Sequence, residues 1–407
     1  MKKTKYFFLS FISLLLSSCE FIITSENTSI NHDLLNYGEN YKEENTIANQ
    51  ENLAGMCYLF YERNEQINYK EALKAMKNLG VKSLRTWMHF KYFMSDPETI
   101  NSQKADLIHE YLKEAIDLGF QIIGMNHTNY HEEGYFSIGK EERVHFDDQD
   151  SKYNRWLENY KKSWYTLASE FSEISYWEID NEINNPDFMY IEGKKDDVLN
   201  ITEMAQISAD MLYYGSLGIH EANPDANTIM GGLVDSLGLG LGSYYNGVYT
   251  GNNKQFLNVL YDCIDSGEHH SLHYDDFFQI AAWHPYYYTK TADEYFVMEN
   301  NDIYNIIKKR EKKDKKVFLT EFGWADSNTN GNTGQYIKDL YITLKEQMPY
   351  VESLHYYILF DKVGVNECGL FTDPSIGGTP KDSAYAYQEI NQGKGTLTYN
   401  FLKNING

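Results

Sequence analysis

Two hydrophobic periods alternate along most of the chain, one typical of buried strands and the other of amphipathic helices. Short apolar runs predict strands at 53–60, 82–90, 120–127, 174–182, 227–234, 277–286, 316–324 and 353–360. Apolar residues spaced three and four apart predict helices at 68–80, 104–119, 153–171, 202–219, 254–266, 292–313, 335–347 and 382–391. The pattern therefore predicts eight consecutive strand–helix units.

This order of elements favours an α/β fold in which parallel strands close into a (β/α)8 TIM barrel, as one catalytic domain over 51–407. A doubly wound open sheet is the alternative. It would need a phosphate-binding glycine loop after the first strand, and "YLFYERNEQ" at 58–66 is unlike one. The longest connections follow strands, at 128–152, 183–200, 235–253 and 361–380. They predict an active site at the C-terminal face of the barrel.

The first 50 residues follow neither period. Three lysines among the first five residues precede an apolar run at 6–16, and "LSSC" follows, ending at Cys19. This order resembles a bacterial lipoprotein signal, with 1–18 as signal peptide and Cys19 lipidated; an ordinary signal peptide is the alternative. Residues 19–50 are polar and predict a tether. We therefore expect an exported protein, lipid-anchored to a membrane of the bacterial cell envelope.

Composition excludes one class of partner. A formal net charge of -23, from 36 Lys+Arg against 59 Asp+Glu, would repel phosphate backbones, so we expect no nucleic-acid partner. An aromatic content of 15% instead suits stacking on neutral ligands. Cys57, Cys263 and Cys368 show no metal-ligand spacing, and we expect buried thiols or a single disulfide.

Two acidic residues end predicted strands of the same barrel. In "YWEIDNEIN" (176–184) Glu182 ends the fourth strand, and in "KVFLTEFGW" (316–324) Glu321 ends the seventh. Both would project into the barrel mouth, where the C-terminal ends of the strands meet. Such a carboxylate pair can hydrolyse a glycosidic bond, one as acid and the other as nucleophile or base. Either acid alone is more often a solvated loop residue.

These motifs resemble those of clan A glycoside hydrolases, the retaining (β/α)8 enzymes, over about residues 51–395. Asn181 before the first acid, "TEFG" around the second and a His-x-Tyr motif carry the resemblance. Further matching positions are Arg85 on strand two, His127 ending strand three, and His284 and Tyr286 on strand six.

The resemblance implies a double displacement on a β-linked oligo- or polysaccharide. Glu321 would be the nucleophile and Glu182 the acid/base, while Asn181 would hydrogen-bond the sugar 2-hydroxyl. Strict alternation would point Asn181 away from Glu182, so the strand is expected to twist or bulge at its end. Arg85 is expected to pair with Glu178 and to support Glu321. We expect no cofactor, no metal and a monomer.

The resemblance departs from the family at strand eight, where clan A enzymes usually carry a tryptophan. Here the strand offers Tyr356, Tyr357 and Phe360. We expect Tyr357 to support the substrate and Trp324, beside Glu321, to be the best sugar platform, although buried tryptophans are more often core. His127 is either a core histidine or part of the site wall. Families five, thirty-nine and fifty-three stay open.

Two other classes of function compete with catalysis by this pair. One is an inactive barrel that binds glycans at the cell surface, against which the intact set of motifs argues. The other is a metal-dependent barrel hydrolase. The sequence lacks a His-x-His pair on an early strand, and His269-His270 has no third ligand at a convincing spacing, which argues against a metal.

Overall fold

The computed structural model describes residues 53–60, 66–127, 143–189, 198–234, 244–271, 273–286, 292–362 and 367–403. The predicted signal peptide (1–18), the tether (19–50) and Cys19 lie outside these residues and stay predictions. Within the described ranges, no helix has both the length and the apolar character needed to cross a bilayer.

Eight of the described strands form a closed parallel barrel, and four shorter ones form two antiparallel pairs outside it. Its members are β1 (Ala54–Cys57), β2 (Ser83–Trp87), β3 (Gln121–Asn126), β4 (Tyr176–Asn181), β5 (Asn227–Val234), β6 (Ala281–His284), β7 (Val317–Phe322) and β8 (Val351–Tyr356). The order around the barrel is β1-β8-β7-β6-β5-β4-β3-β2, so each strand pairs with its neighbours in sequence and β8 closes against β1. The predicted (β/α)8 fold is confirmed.

A helix follows each of these strands along the chain. The helices are α1 (Tyr69–Leu79), α2 (Ser102–Asp117), α3 (Lys152–Glu170), α4 (Ile201–Ala222), α5 (Asn253–Asp265), α6 (Glu294–Glu311), α7 (Thr333–Gln347) and α8 (Asp382–Ile390). Local signals set their ends: Asn200 forms a capping box with Glu203 at the start of α4, and Gly80 ends α1 at φ 89.

Apolar and charged side chains share the barrel interior. Ile123, Ile229 and Phe318 belong to a small apolar cluster on the strands, separate from the main core between barrel and helices. Ile123 pairs in register with Arg85, and Ile229 with Glu178. Residues in register on neighbouring strands point to the same side of a sheet. The interior is therefore apolar in part and carries a buried ion pair beside that apolar part.

Both strands that carry the predicted acids are irregular at their C-terminal ends. Asp180, in β4, has φ 70, and Glu182, just after this strand, has φ 47. Residues other than glycine rarely adopt positive φ angles. In β7, Leu319 pairs with Leu354 while Phe322 pairs with Tyr356, so one extra residue of β7 bulges between these pairs. The irregularity predicted for the fourth strand is confirmed, whereas the bulge in β7 was not predicted.

The cysteines are free thiols. Cys57 is buried, and Cys263 and Cys368 are partly buried. The alternative of a disulfide among them is therefore wrong. Cys57 lies under the site, where its Sγ donates to the carbonyl oxygen of Thr320 at 3.4 Å.

A cleft of about 910 Å³ lies at the N-terminal face of the barrel, opposite the mouth. Leu53 and Ala54, at the start of β1, form part of its wall. Four lysines also line it: Lys77, Lys82, Lys345 and Lys394. The described lining residues include no aspartate or glutamate, so this face is locally basic on a strongly acidic chain.

Candidate active site

The structure brings the two predicted acids together at the barrel mouth. Glu182 follows the last residue of β4 and Glu321 lies in β7, and each is 7% exposed. One carboxylate oxygen of each lies within 4.8 Å of the other and of a ring nitrogen of His284. In retaining glycosidases the two carboxyl groups are about 5–5.5 Å apart, so this spacing suits direct attack by one of them.

Arg85 organises the floor of the site. Its Nε forms an ion pair with Glu178, as predicted, and its Nη1 donates to Glu321 Oε1 at 2.5 Å. Its Nη2 donates to Asn181 Oδ1 at 2.7 Å. Burial opposes the charge on Arg85, but the neighbouring carboxylates of Glu178 and Glu321 hold its pKa well above the ordinary value. One guanidinium fork thereby fixes three acceptors.

Glu321 is held as a carboxylate. Burial alone would raise its pKa, but His284, the Arg85 charge and the Tyr286 hydroxyl together lower the pKa below the ordinary value of 4.5. Tyr286 donates its OH to Glu321 Oε2 at 2.8 Å. Burial and the charge of Glu321 raise the pKa of Tyr286 well above normal, so the hydroxyl keeps the proton that it donates.

Glu182 has a different environment from Glu321. Its Oε1 lies 3.0 Å from His284 Nδ1, and its Oε2 accepts from Asn185 Nδ2 at 2.7 Å. The Oδ1 of Asn185 accepts from the backbone N–H of Asp187, which fixes the orientation of the amide. Asn185 was not predicted from the sequence. The only signal for it is its place in the turn just after the acid.

A chain of hydrogen bonds supports His284 from below. His284 Nε2 lies 3.1 Å from Thr320 Oγ1, and Thr320 donates to Glu178 Oε1 at 3.0 Å. The bulge in β7 lets Thr320 and Glu321, adjacent in sequence, both reach into the site. Gly232 makes room for this contact, since a Cβ there would lie 2.3 Å from His284 Nε2. Thr320 and Gly232 were also missed from the sequence.

The aromatic residues correct one prediction. Trp324 is 2% exposed and packs edge-on against Phe322, so it has no open face for a sugar, and its predicted role as platform is wrong. Trp87 at the end of β2 is instead half-buried, with its ring centroid 6.3 Å from that of half-buried Tyr357. The Arg85 guanidinium lies 5.2 Å from the Trp87 ring.

His127 lies to the side of the carboxylate pair. It is half-buried, its Nδ1 is 3.6 Å from Asp180 Oδ1, and its ring meets Phe188 edge-on at 4.7 Å. Asp180 accepts from the backbone N–H of Asn181 at 2.9 Å. Asp180, for which the sequence suggested no role, therefore holds the end of β4.

Within the described ranges, one group of side chains converges as metal ligands would: Glu182, His284 and Glu321. The oxygens of Glu321 already accept from Arg85 and Tyr286, and those of Glu182 contact His284 and Asn185. A cation here would also lie beside the Arg85 charge. We assign no metal to this site, and the expectation that the protein needs none stays a prediction.

The loops predicted to shape the site are described only in part. Residues 128–142, 190–197, 235–243 and 363–366 lie outside the described residues. The described part of the site is therefore its floor and the carboxylates of Glu182 and Glu321.

Comparison with known proteins identifies the fold of this chain but not its family. No model of a known family matches this chain, and no curated protein matches it in sequence. Among solved structures, it resembles a family 39 glycoside hydrolase from the gut symbiont Bacteroides cellulosilyticus, with a TM-score of 0.53 and 14% identity. That match covers 84% of this chain and 64% of the other, so this chain spans less than two thirds of that enzyme's length.

Two further neighbours have the same architecture. A family 1 β-glucosidase from Thermotoga maritima gives a TM-score of 0.56 at 13% identity, covering 85% of this chain and 98% of that one. An exo-β-1,4-mannosidase from an Opitutaceae bacterium gives 0.56 at 12% identity, covering 84% and 59%. At such identities the likeness shows the shared fold alone: the chain is a (β/α)8 barrel of the kind that glycoside hydrolases use.

Proposed function

We propose that this protein is a retaining glycoside hydrolase acting on β-linked oligo- or polysaccharides. The observation that carries the proposal is the pair of buried carboxylates with oxygens within 4.8 Å, one of them held ionised. The glycoside hydrolases among its structural neighbours support a carbohydrate substrate.

In the first step Glu321 attacks the anomeric carbon, and the bond from that carbon to the leaving oxygen breaks. Glu182 gives a proton to the leaving oxygen, and a glycosyl ester of Glu321 forms. The ester carries no charge, so an ionised Glu182 no longer faces a second carboxylate. In the second step Glu182 takes a proton from water, the water oxygen bonds to the anomeric carbon, and Glu321 leaves as a carboxylate.

Asn181 and two aromatic rings would contact the sugar. Arg85 already occupies Oδ1 of Asn181, which leaves the amide NH2 as the group that can donate to the 2-hydroxyl. Trp87 and Tyr357 offer half-buried rings at the same mouth and could support the apolar face of a sugar ring. Neither contact determines which sugar is bound.

The test is a panel of aryl β-glycosides and β-glycans with Glu182→Ala and Glu321→Ala. We expect each variant to lose about 10³-fold or more in kcat/KM. Glu352→Ala is the matched control. Glu352 lies at the start of β8 in the same barrel, is 8% exposed and forms an ion pair with Lys316. Near wild-type turnover by either site variant contradicts the assignment.

Product stereochemistry separates the two roles. NMR of the first-formed product should show the β-anomer, and an inverted anomer excludes Glu321 as nucleophile. Azide should rescue Glu182→Ala with a β-glycosyl azide and Glu321→Ala with an α-glycosyl azide. Glycan binding without release of reducing ends, in a protein with normal stability, would favour the inactive binding barrel instead.

We further propose that the protein is a monomer, anchored in the cell envelope through a lipid on Cys19. The anchor rests on the order of charged, apolar and small residues at the start of the chain. Cys19→Ser should move the protein from the membrane to the soluble fraction, and an unchanged distribution contradicts the anchor. Light scattering tests the expected monomer.

A further inference from the structure

We propose that Thr320 is a positioning residue that fixes the tautomer of His284, so that His284 and Glu182 together hold the proton that the reaction uses. The inference rests on the proposed function and extends it to residues that touch no substrate. It follows from the directions in which three hydrogen bonds can run.

The first direction is set by Glu178. This carboxylate is fully buried, paired with Arg85, and accepts from the backbone N–H of Gly232 at 3.0 Å. An ionised carboxylate can only accept hydrogen bonds. At 3.0 Å from Glu178 Oε1, the Thr320 hydroxyl therefore donates its single proton to that oxygen.

The second direction follows from the first. With its proton committed to Glu178, Thr320 Oγ1 can only accept from His284 Nε2, which lies 3.1 Å away. Nε2 of His284 therefore carries a hydrogen. In a neutral imidazole, the other nitrogen is then an acceptor.

The third direction concerns the catalytic pair. Nδ1 of His284 faces Glu182 Oε1 at 3.0 Å and Glu321 Oε2 at 3.9 Å. If Glu182 were ionised and His284 neutral, two acceptors would face each other at hydrogen-bond distance. One proton therefore lies between Nδ1 and Oε1, whichever atom holds it at a given moment.

The Glu182–His284 pair gives up this proton in the first step of the reaction and regains one in the second. When the glycosidic bond breaks, the proton passes from the Glu182–His284 pair to the leaving oxygen, and Glu321 becomes esterified. When water attacks the ester, its proton returns to the pair. No further acid or base is required.

The electrostatic environment of His284 includes groups from several strands. The titratable and charged groups that face it are Glu178 from β4, Glu182 just after that strand, Glu321 from β7, Arg85 from β2, His355 from β8 and Tyr286. Burial lowers the pKa of His355 to about 3, so that ring is neutral over the working range. A change at Thr320 leaves all of these groups in place and removes two contacts of its hydroxyl, one with His284 Nε2 and one with Glu178 Oε1.

The critical variants are Thr320→Val, which has nearly the same shape without the hydroxyl, and Thr320→Ser, which keeps it. Thr228→Val is the matched control, because Thr228 is a fully buried threonine of strand β5 of the same barrel whose hydroxyl has no hydrogen-bond partner among the described residues. Each variant is assayed on phenyl and 2,4-dinitrophenyl β-glycosides of a sugar that the wild type hydrolyses. The first has a poor leaving group that needs a proton, and the second a good one that does not.

In Thr320→Val, His284 can adopt the other tautomer, with a hydrogen on Nδ1 that stabilises ionised Glu182. We expect turnover of the phenyl glycoside to fall on the order of 10- to 100-fold, with the dinitrophenyl glycoside nearly unchanged. The basic limb of the pH profile of kcat/KM for Thr320→Val should move to lower pH. Thr320→Ser should keep the wild-type turnover of the phenyl glycoside and the wild-type pH profile, and Thr228→Val should match the wild type.

A second measurement needs no change at Thr320 and no turnover. In the full-length wild-type protein labelled with ¹⁵N-histidine, with the His284 signals assigned by comparison with His284→Asn, Nε2 should be protonated. A hydrogen on Nδ1 with a bare Nε2 overturns the inference even if Thr320→Val fails to fold. An equal loss on both glycosides in Thr320→Val also overturns it.

The two proposals fail in different ways. If the wild type hydrolyses no glycoside, the proposed function fails, and the ¹⁵N measurement alone decides the tautomer. If the wild type is active and depends on Glu182, but Thr320→Val shows no dependence on the leaving group, the function stands and the role of Thr320 is wrong.

Discussion

Arg85 Nη1 lies 2.5 Å from Glu321 Oε1, in a contact that is closed to solvent on the arginine side and nearly closed on the other. A buried carboxylate without such a partner would take up a proton and lose its nucleophilicity. Arg85 therefore links the stability of the barrel interior to the charge state of the proposed nucleophile.

Arg85→Lys tests this link. A lysine ammonium is a point charge and cannot replace a planar fork that serves three acceptors at once. We expect kcat/KM to fall about 10²-fold and the free energy of unfolding to fall by about 3 kcal/mol, because Glu178 or Glu321 is left without its partner. Denaturant unfolding and steady-state kinetics measure the two effects. Loss of stability without loss of activity would contradict the proposed support of Glu321.

The pH dependence follows from the lowered pKa of Glu321. The unfolded chain binds this proton at higher pH than the folded protein, so the ionised group stabilises the fold above about pH 4.5. That contribution is lost as the pH falls through the folded pKa. The acid limb of kcat/KM should accordingly lie below the ordinary carboxyl range.

Tyr286→Phe should move that limb. Removing the hydroxyl takes away one hydrogen bond to the carboxylate of Glu321, so its pKa should rise. We expect the acid limb of the pH–rate profile to shift to higher pH, with kcat/KM at neutral pH about 10-fold lower. Tyr341→Phe is the control: Tyr341 is a buried tyrosine on α7, outside the site. An unshifted limb would mean that Tyr286 does not control the charge of Glu321.

Gly232→Ala tests the packing beneath the proposed catalytic pair. The added methyl group would lie 2.3 Å from His284 Nε2 and 2.6 Å from Thr320 Oγ1, so both side chains must move. We expect kcat/KM to fall about 10²-fold, since displacement of a catalytic group by about 1 Å can have that effect. Gly267→Ala offers a comparison, because its Cβ would meet nothing within 4 Å, although its φ of 79 carries some strain. If Gly232→Ala keeps full activity, the close contact is not needed for catalysis.

A second buried charge cluster lies among the helices. Asp210 on α4 is fully buried and accepts from Tyr153 OH at 2.5 Å and His269 Nε2 at 3.0 Å, and it pairs with Arg143 Nε at 2.7 Å. Asp210→Asn should lower the free energy of unfolding by about 3 kcal/mol, because Arg143 loses its buried counter-charge. Thermal unfolding checks this, with exposed Asp117→Asn as a control that should leave the stability unchanged. An equal effect of both changes would refute it.

The architecture could be predicted from the sequence because each strand and helix carries its own local period. The acids at the ends of β4 and β7 were also predictable, since strand ends meet at one face of a barrel. The need for irregularity after Asp180 followed from a conflict between alternation and the expected role of Asn181. These inferences depend on local pattern and on the geometry of a known fold.

Other parts of the site have no local signal. Thr320 reaches His284 only because β7 bulges, and register within a strand is set by tertiary packing. Trp324 follows Glu321 closely in sequence, yet the chain turns it into the core. Gly232 could be recognised only once two side chains from other strands were seen against it.

The barrel has two ends with different surroundings. β1 begins at Ala54, on the face with the lysine-lined cleft, while the carboxylates of Glu182 and Glu321 open at the opposite face. A polymer bound at the mouth and a ligand held in the cleft would therefore lie at opposite ends of the same strands, and neither would obstruct the other.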